Sequence, residues 1–345
     1  MKVLIVNNMA PFVWGGAEEL AVNLQKNLIL SGHEAEILRI PFQWEPATRI
    51  PSQMMMARAF ELDNVDKVIA LKFPAYLIRH PNKSLWLLHQ YRQAYDLFDV
   101  GQTNLPEGEL GNDIRNLIRN ADDETFSESR KIFTNSIVTQ QRLMKYNGFA
   151  SEILLPPIND PEIFHSSGTG DYVFAGGRIN DMKRQHVLIE AMKYATRDVK
   201  LVVAGPPDTP ADGAKLERMV EQSGLGDRIR LDLRMLPRST YADYMRNSLA
   251  VAYMPFDEDS LGYVTMEGAL AGKALITTSD SGGVTGLVIP ELTGWIAEPN
   301  PASLGEVLSM ACENPTRSKE LGAAAREYWN SLGIDWPATV ASLMR

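Results

Sequence analysis

The chain has 345 residues, 45% of them hydrophobic and 22% charged, enough apolar material for about two domains, each with its own core. A net charge of -9 at pH 7 opposes a phosphate backbone and argues against nucleic-acid binding. The single cysteine, Cys312, permits no intrachain disulfide and fits a reducing compartment, and no Cys/His cluster suggests a metal site.

The N-terminal MKVLIVNNMA has an apolar run too short for a signal peptide, and no run of about 18 apolar residues occurs, so the expectation is a cytoplasmic chain with no membrane span. Short runs rich in Val, Ile and Leu then alternate with longer segments of helical period. KVLIV (2–6) leads through a loop into AEELAVNLQKNLILSG, where Leu20, Leu24 and Leu28 recur every four residues and Gly32 suits a helix C-terminus. AEILRI (35–40), KVIAL (67–71), LWLLH (85–89), KIFTN (131–135) and EILLP (152–156) continue the series in the manner of buried parallel strands. A second series runs through DYVFAGG (171–177), VKLVVAG (199–205), RIRLDL (228–233), LAVAYMP (249–255) and KALITT (273–278). Between the two series, LPPINDPEIFHSSGTG (155–170) has three prolines, two glycines and no periodicity, the composition of a linker. The expected fold class is α/β, with two Rossmann-like doubly wound domains, 1–158 and 159–333, facing across a cleft.

In open α/β sheets ligands lie outside the carboxyl ends of strands, so the loops after strands carry the interest. After the first strand, NNMAPFVWGGAEEL places Gly15 and Gly16 before a helix, where backbone N–H groups and the helix dipole suit an anion. A glycine pair there is equally a tight turn, and the G-x-G-x-x-G dinucleotide pattern is absent. FAGGRINDMKRQHVLIEAM sets Arg178 and Lys183 in the loop after the first strand of the second domain. A planar fork and a compact mobile charge suit a diphosphate, against the ordinary alternative of two solvated cations. DEDSLGYVTMEGALAGKALITT places Asp259 eight residues before Glu267, across a helix start expected near Leu261. N–H groups at Gly262, Tyr263 and Val264 would meet an anion and the two acids would meet hydroxyls, a combination that a sugar nucleotide offers. The alternative is that Asp257, Glu258 and Asp259 cap the helix and favour its dipole.

Together the glycine pair, GGRINDMK, DSLGYVTME followed by GALAGKALITT, SGGVTG, ELTGWIAEPN and the terminal WPATVASLMR resemble the family-4 retaining glycosyltransferases of the GT-B fold over nearly the whole chain. The resemblance implies transfer of a hexose-type sugar from a UDP- or GDP-sugar to a hydroxyl acceptor, such as a glycan, glycolipid or polysaccharide precursor. The anomeric configuration would be retained, without a bound metal or cofactor. It makes the first domain the acceptor side, rejoined by a terminal helix over 334–345, and the second the donor side. Arg178 and Lys183 would neutralise the departing diphosphate, as a metal does in many other transferases. Glu267 would accept hydrogen bonds from ribose hydroxyls and Asp259 from donor-sugar hydroxyls, while N–H groups of Gly262, Tyr263, Val264 and the Gly15-Gly16 pair cradle the phosphates. His89 would lie near the donor sugar and acceptor, unless it is a strand-end histidine with a structural hydrogen bond. The departing phosphate would itself take the acceptor's proton, and no Ser-His-Asp or Cys-His set suggests a protein nucleophile.

Two departures from the family pattern stand out. Asp259 sits where glutamate is usual, with Glu258 beside it, and Gly286 stands in GGVTG where a glutamate is often found. They leave open a non-catalytic partner subunit of the same fold, and a nucleotide-sugar 2-epimerase would need no acceptor at all. Between Asp66 and Asp96 there is no acid, while Lys72, Arg79, Lys83 and Arg92 interleave with Phe73, Tyr76, Trp86 and Tyr91. That pattern suits a weak peripheral contact with an anionic membrane or a phosphorylated acceptor, or an ordinary mixture of buried aromatics and solvated bases.

Overall fold

The computed structural model describes residues 1–165, Gly168 and 170–345. Ser166, Ser167 and Thr169 of the expected linker lie outside the described residues. The chain divides into two compact units, Met1–Pro157 with Ile334–Arg345, and Ile158–Gly333.

The first unit is built on strands β1 (Lys2–Met9), β2 (Glu34–Pro41), β3 (Lys67–Ala70), β4 (Lys83–Leu87), β5 (Lys131–Thr134) and β6 (Glu152–Ile153). They form one parallel sheet in the order β2-β1-β3-β4-β5-β6. Alternation along β1 sends Val3 and Ile5 to one face, against Leu20, Leu24 and Leu28 of helix Gly16–Leu30 and Val340 of helix Trp336–Met344. Val6 turns to the other face, where Ile114, Ile118 and Phe126 of helix Glu109–Glu128 close a second layer. Strand β4 begins two residues earlier than LWLLH suggests, because Lys83 is fully buried. Its ammonium donates to the carbonyls of Tyr76 at 3.2 Å and Ile78 at 3.1 Å, and burial brings its pKa down to about 8.

The same packing bears out the buried-aromatic part of the ordinary alternative for the stretch between Asp66 and Asp96. Phe73, Tyr76, Trp86 and Tyr91 are all buried, Lys83 is buried with them, Arg79 pairs with Glu124 at 2.9 Å and Arg92 with Asp96 at 2.6 Å. The aromatics belong to the core, while the Arg79 side chain stays 59% exposed beside Glu124. Among the described residues no helix is long and apolar enough to cross a membrane.

The second unit holds β7 (Val173–Gly176), β8 (Leu201–Ala204), β9 (Ile229–Asp232), β10 (Ala250–Ala252), β11 (Ala274–Thr278) and β12 (Gly294–Ala297), parallel in the order β12-β11-β10-β7-β8-β9. The expected linker is not loose in its described part: Ile158, Asn159 and Phe164 are buried. Their burial outweighs the turn-forming prolines beside them. In each sheet the strand order reverses once, between β1 and β3 and between β7 and β10, and such switch points open a crevice at the carboxyl ends.

Candidate functional site

The loop after β7 is shaped by close backbone approach. Gly177 is in the left-handed region at φ +108, its N–H donates to Ala204 O at 3.1 Å, and a Cβ there would touch Val264 at 3.4 Å. Arg178 follows with Nη1 on both carboxylate oxygens of Asp208, at 3.2 and 3.3 Å. Asn180 shares that carboxylate through Nδ2 at 2.8 Å, and its Oδ1 accepts from the Lys183 backbone N–H at 2.9 Å, closing the short turn Asp181–Lys183. Arg184 then takes a left-handed conformation at φ +56 and spends its guanidinium on structure. It grips Asp280 through two bonds of 2.7 Å and donates to the Met254 and Pro255 carbonyls, locking the exits of β10 and β11 together.

That lock sets the loop after β10 against the Lys183 side chain. The ammonium pairs with Glu258 Oε2 and stands 5.4 Å over the Tyr253 ring, while the Tyr253 hydroxyl donates to the same Glu258 oxygen at 3.2 Å. Burial alone would lower the Lys183 pKa; Tyr253 and Glu258 outweigh it and hold the ammonium above its usual value. Asp259 is half-buried in this loop, and its backbone is pinned by the following glycine turn. Gly283 N–H donates to Glu258 O at 2.7 Å, and a Cβ on Gly283 would lie 2.9 Å from Asp259 O.

Helix Tyr263–Leu270 begins two residues later than expected, because Gly262 is still left-handed at φ +74. Only glycine fits there: a Cβ would lie 2.5 Å from the Tyr253 ring. Gly262 N–H has a partner, the Ser260 hydroxyl at 3.3 Å, and the N-cap residue is itself a glycine, with no side chain to cap the helix. Glu267 consequently falls in the second turn and is 2% exposed. Arg238 Nη2 donates to its Oε1 at 2.5 Å and the Tyr241 hydroxyl donates to it as well. Burial raises the Glu267 carboxyl above its usual range, against the pull of Arg238 and Tyr241.

The second unit thus gathers Arg178, Lys183, Asp259, Gly262, Tyr263, Val264 and Glu267 around the carboxyl ends of β7 and β10, its switch point. Gly15, Gly16 and His89 belong to the first unit. Gly15 is the N-cap of helix Gly16–Leu30, and its N–H is taken by Glu18 Oε2 at 2.9 Å. His89 lies two residues beyond β4, with Nδ1 2.7 Å from Gln90 O. Sequence reasoning missed Asp208, Tyr253, Arg238 and Tyr241. Asp208 follows β8, and Arg238 follows β9 just after Pro237, so the rule that sites gather after strands held the signal for both. The arrangement can exchange bound carboxylates for an oxyanion at two cations, and offers a buried acceptor to hydroxyl donors.

Residues 159–328 match the family model described as Glycosyl transferases group 1. A D-inositol 3-phosphate glycosyltransferase of Jonesia denitrificans is 27% identical over 198 residues, covering 53% of this chain and 46% of the relative. The chain therefore matches less than half the length of that curated relative. Sucrose-phosphate synthase from Thermosynechococcus elongatus superposes with a TM-score of 0.79 at 16% identity, covering 99% of this chain and 97% of the other. Anabaena HepE in complex with UDP-glucose does so with a TM-score of 0.73 at 16% identity, covering 100% and 98%. The chain has the GT-B fold, and its second unit carries the sequence likeness to group 1 glycosyltransferases.

Proposed function

We propose that this chain is a retaining, metal-independent glycosyltransferase that moves a hexose-type sugar from a UDP- or GDP-sugar to a hydroxyl acceptor. The observation that supports this best is the switch point of the second unit, where two cations, a helix start and a buried carboxylate share neighbouring loops. Arg178 and Lys183 are already charged and already held by carboxylates. A diphosphate would replace Asp208 and Glu258 as their counterion, and the cations would gain most as the diphosphate leaves with its full charge. Glu267 would take the ribose hydroxyls, Asp259 the sugar hydroxyls, and the N–H groups at Gly262, Tyr263, Val264 and Gly15-Gly16 the phosphate oxygens, which would displace the Ser260 hydroxyl from Gly262 N–H and Glu18 from Gly15 N–H. In this reading the first unit, with His89, serves the acceptor. The name of the Jonesia relative puts an inositol phosphate among the acceptors to try.

The test is to incubate the protein with UDP-glucose, UDP-N-acetylglucosamine and GDP-mannose, with and without EDTA, and to follow slow release of nucleoside diphosphate. One donor is expected to turn over, unchanged by EDTA, and faster when its acceptor is present. Loss in EDTA that Mg²⁺ restores would contradict metal independence. No release from any donor, with or without an acceptor panel, would sink the assignment.

A further inference from the structure

Glu267 is one acid in a helix whose neighbours Val264, Thr265, Met266, Gly268 and Ala269 are all buried. A carboxylate in such a place keeps its charge only if the protein supplies a partner. Arg238 supplies it from the first residue of helix Arg238–Arg246. The guanidinium lies 4.7 Å over the ring of Phe164, itself 1% exposed, and Nη2 is shared between Glu267 Oε1 and the Asn159 carbonyl at 3.3 Å. A ring beneath and two fixed acceptors at the edge leave the fork one orientation, while 38% of the side chain stays exposed.

We infer that Arg238 is a positioning residue for nucleotide recognition: it fixes the Glu267 carboxylate, ionised and in one orientation, so that its remaining lone pairs meet the ribose hydroxyls of a nucleoside diphosphate. This rests on the reading of Glu267 as the ribose acid. Among the described residues, the Arg238 guanidinium, the Tyr241 hydroxyl and the Asp160 carboxylate act on that carboxylate, and Asp160 Oδ2 lies 3.9 Å from Arg238 Nε. Asp160 opposes ionisation of Glu267, burial does the same, and Tyr241 offers one neutral donor. Arg238 is therefore the group that most favours the charged form, and its loss shifts the carboxyl toward the protonated form, the weaker hydroxyl acceptor. A mere counterion role would alter stability and leave the preference for ribose hydroxyls as it was.

Calorimetry with UDP and 2′,3′-dideoxy-UDP, and with the GDP pair, on wild type, Glu267→Gln, Arg238→Gln and Arg238→Lys at about pH 6 and pH 8.5 separates these. Wild type is expected to prefer the hydroxylated nucleotide about tenfold or more at both pH values. Glu267→Gln abolishes the preference at both. Arg238→Gln makes it smaller, and more so at the lower pH than at the higher. Arg238→Lys keeps it independent of pH but about threefold smaller, because the charge survives and the fork does not. Full preference in Arg238→Gln at both pH values, with Glu267→Gln inert, overturns the role of Arg238 and leaves the ribose reading standing. Full preference in Glu267→Gln, or no binding of either nucleotide to wild type, overturns the ribose reading and this inference with it. If Arg238→Gln does not fold, the lysine variant decides, and an unchanged preference there overturns the proposal.

Discussion

Lys183 and Arg178 have similar assignments and different surroundings, and the difference can be measured. The Arg178–Asp208 pair is 38% and 30% exposed, so its contribution to stability is at most about 1 kcal/mol, and Arg178→Ala should leave the melting temperature nearly unchanged. Lys183 and Glu258 are 19% and 22% exposed, and removing the ammonium takes a charge from beside both Glu258 and Tyr253. Lys183→Ala should therefore lower the melting temperature by a few degrees, and Lys183→Ala with Glu258→Gln should recover it. Both single variants should lose about 100-fold in turnover, the range for a removed electrostatic stabiliser, and the double variant should not regain it. A double variant that recovers activity along with stability would make Lys183 a folding residue. Asp259→Asn separates the other way: nucleoside diphosphate affinity stays as in wild type while turnover falls. Equal weakening of the bare nucleotide by Asp259→Asn and Glu267→Gln would end the division of labour between the two acids.

At the scale of elements, the short apolar strands were legible because buried parallel strands read as uninterrupted Val, Ile and Leu runs, and helix Gly16–Leu30 because its leucines repeat on one face. Strand β12 was not, since GWIA sits within ELTGWIAEPN, between turn-forming residues and without a run of Val, Ile or Leu. Neither was the burial of Lys83, or the start of the Glu267 helix, which depends on a left-handed glycine wedged against Tyr253. The lysine and arginine loop could be located after its strand; the carboxylates that hold it come from the loops after β8 and β10, and no local pattern announces a partner 30 or 75 residues away. Helix Glu109–Glu128 hid another such residue. NADDETFSE reads as a solvated face, yet Asp122 is fully buried and accepts hydrogen bonds from Tyr76 at 2.9 Å and Tyr95 at 2.8 Å. Burial lifts its pKa from 3.8 to about 7, with both tyrosines pulling down. Above pH 7 the carboxyl is ionised folded and unfolded, and the cost of burying the charge is fully felt. Below about pH 4 it is neutral in both states and the cost vanishes. Between them the folded state holds the extra proton, so this group makes stability fall as pH rises, by about 4 kcal/mol in all. Urea titrations from pH 4 to 8 should show Asp122→Asn gaining on wild type as pH rises through that window. A constant difference between the two would show that Asp122 does not titrate there.

Over the whole molecule, each unit repeats one design, a six-stranded parallel sheet with a single reversal of order, and the candidate donor residues lie at the reversal in the second. This placement bears on stereochemistry. Inversion needs a protein base to take the proton from the acceptor hydroxyl on the face opposite the departing phosphate. Glu267 is held by Arg238 and Tyr241 and in the proposed reading would be taken up by the ribose, while Glu258, beside Lys183, would lie next to the departing diphosphate, so neither carboxylate is assigned to the opposite face. In the proposed reading the diphosphate would leave onto Arg178 and Lys183, and its own oxygen would be the base at hand, on the face that the sugar is leaving. Attack from that same face keeps the anomeric configuration. The coupling constant of the product's anomeric proton, followed by NMR from the first turnovers before any mutarotation, should therefore report the configuration of the donor. An inverted product would overturn the retaining assignment and point instead to a protein base, with His89 the first residue to replace.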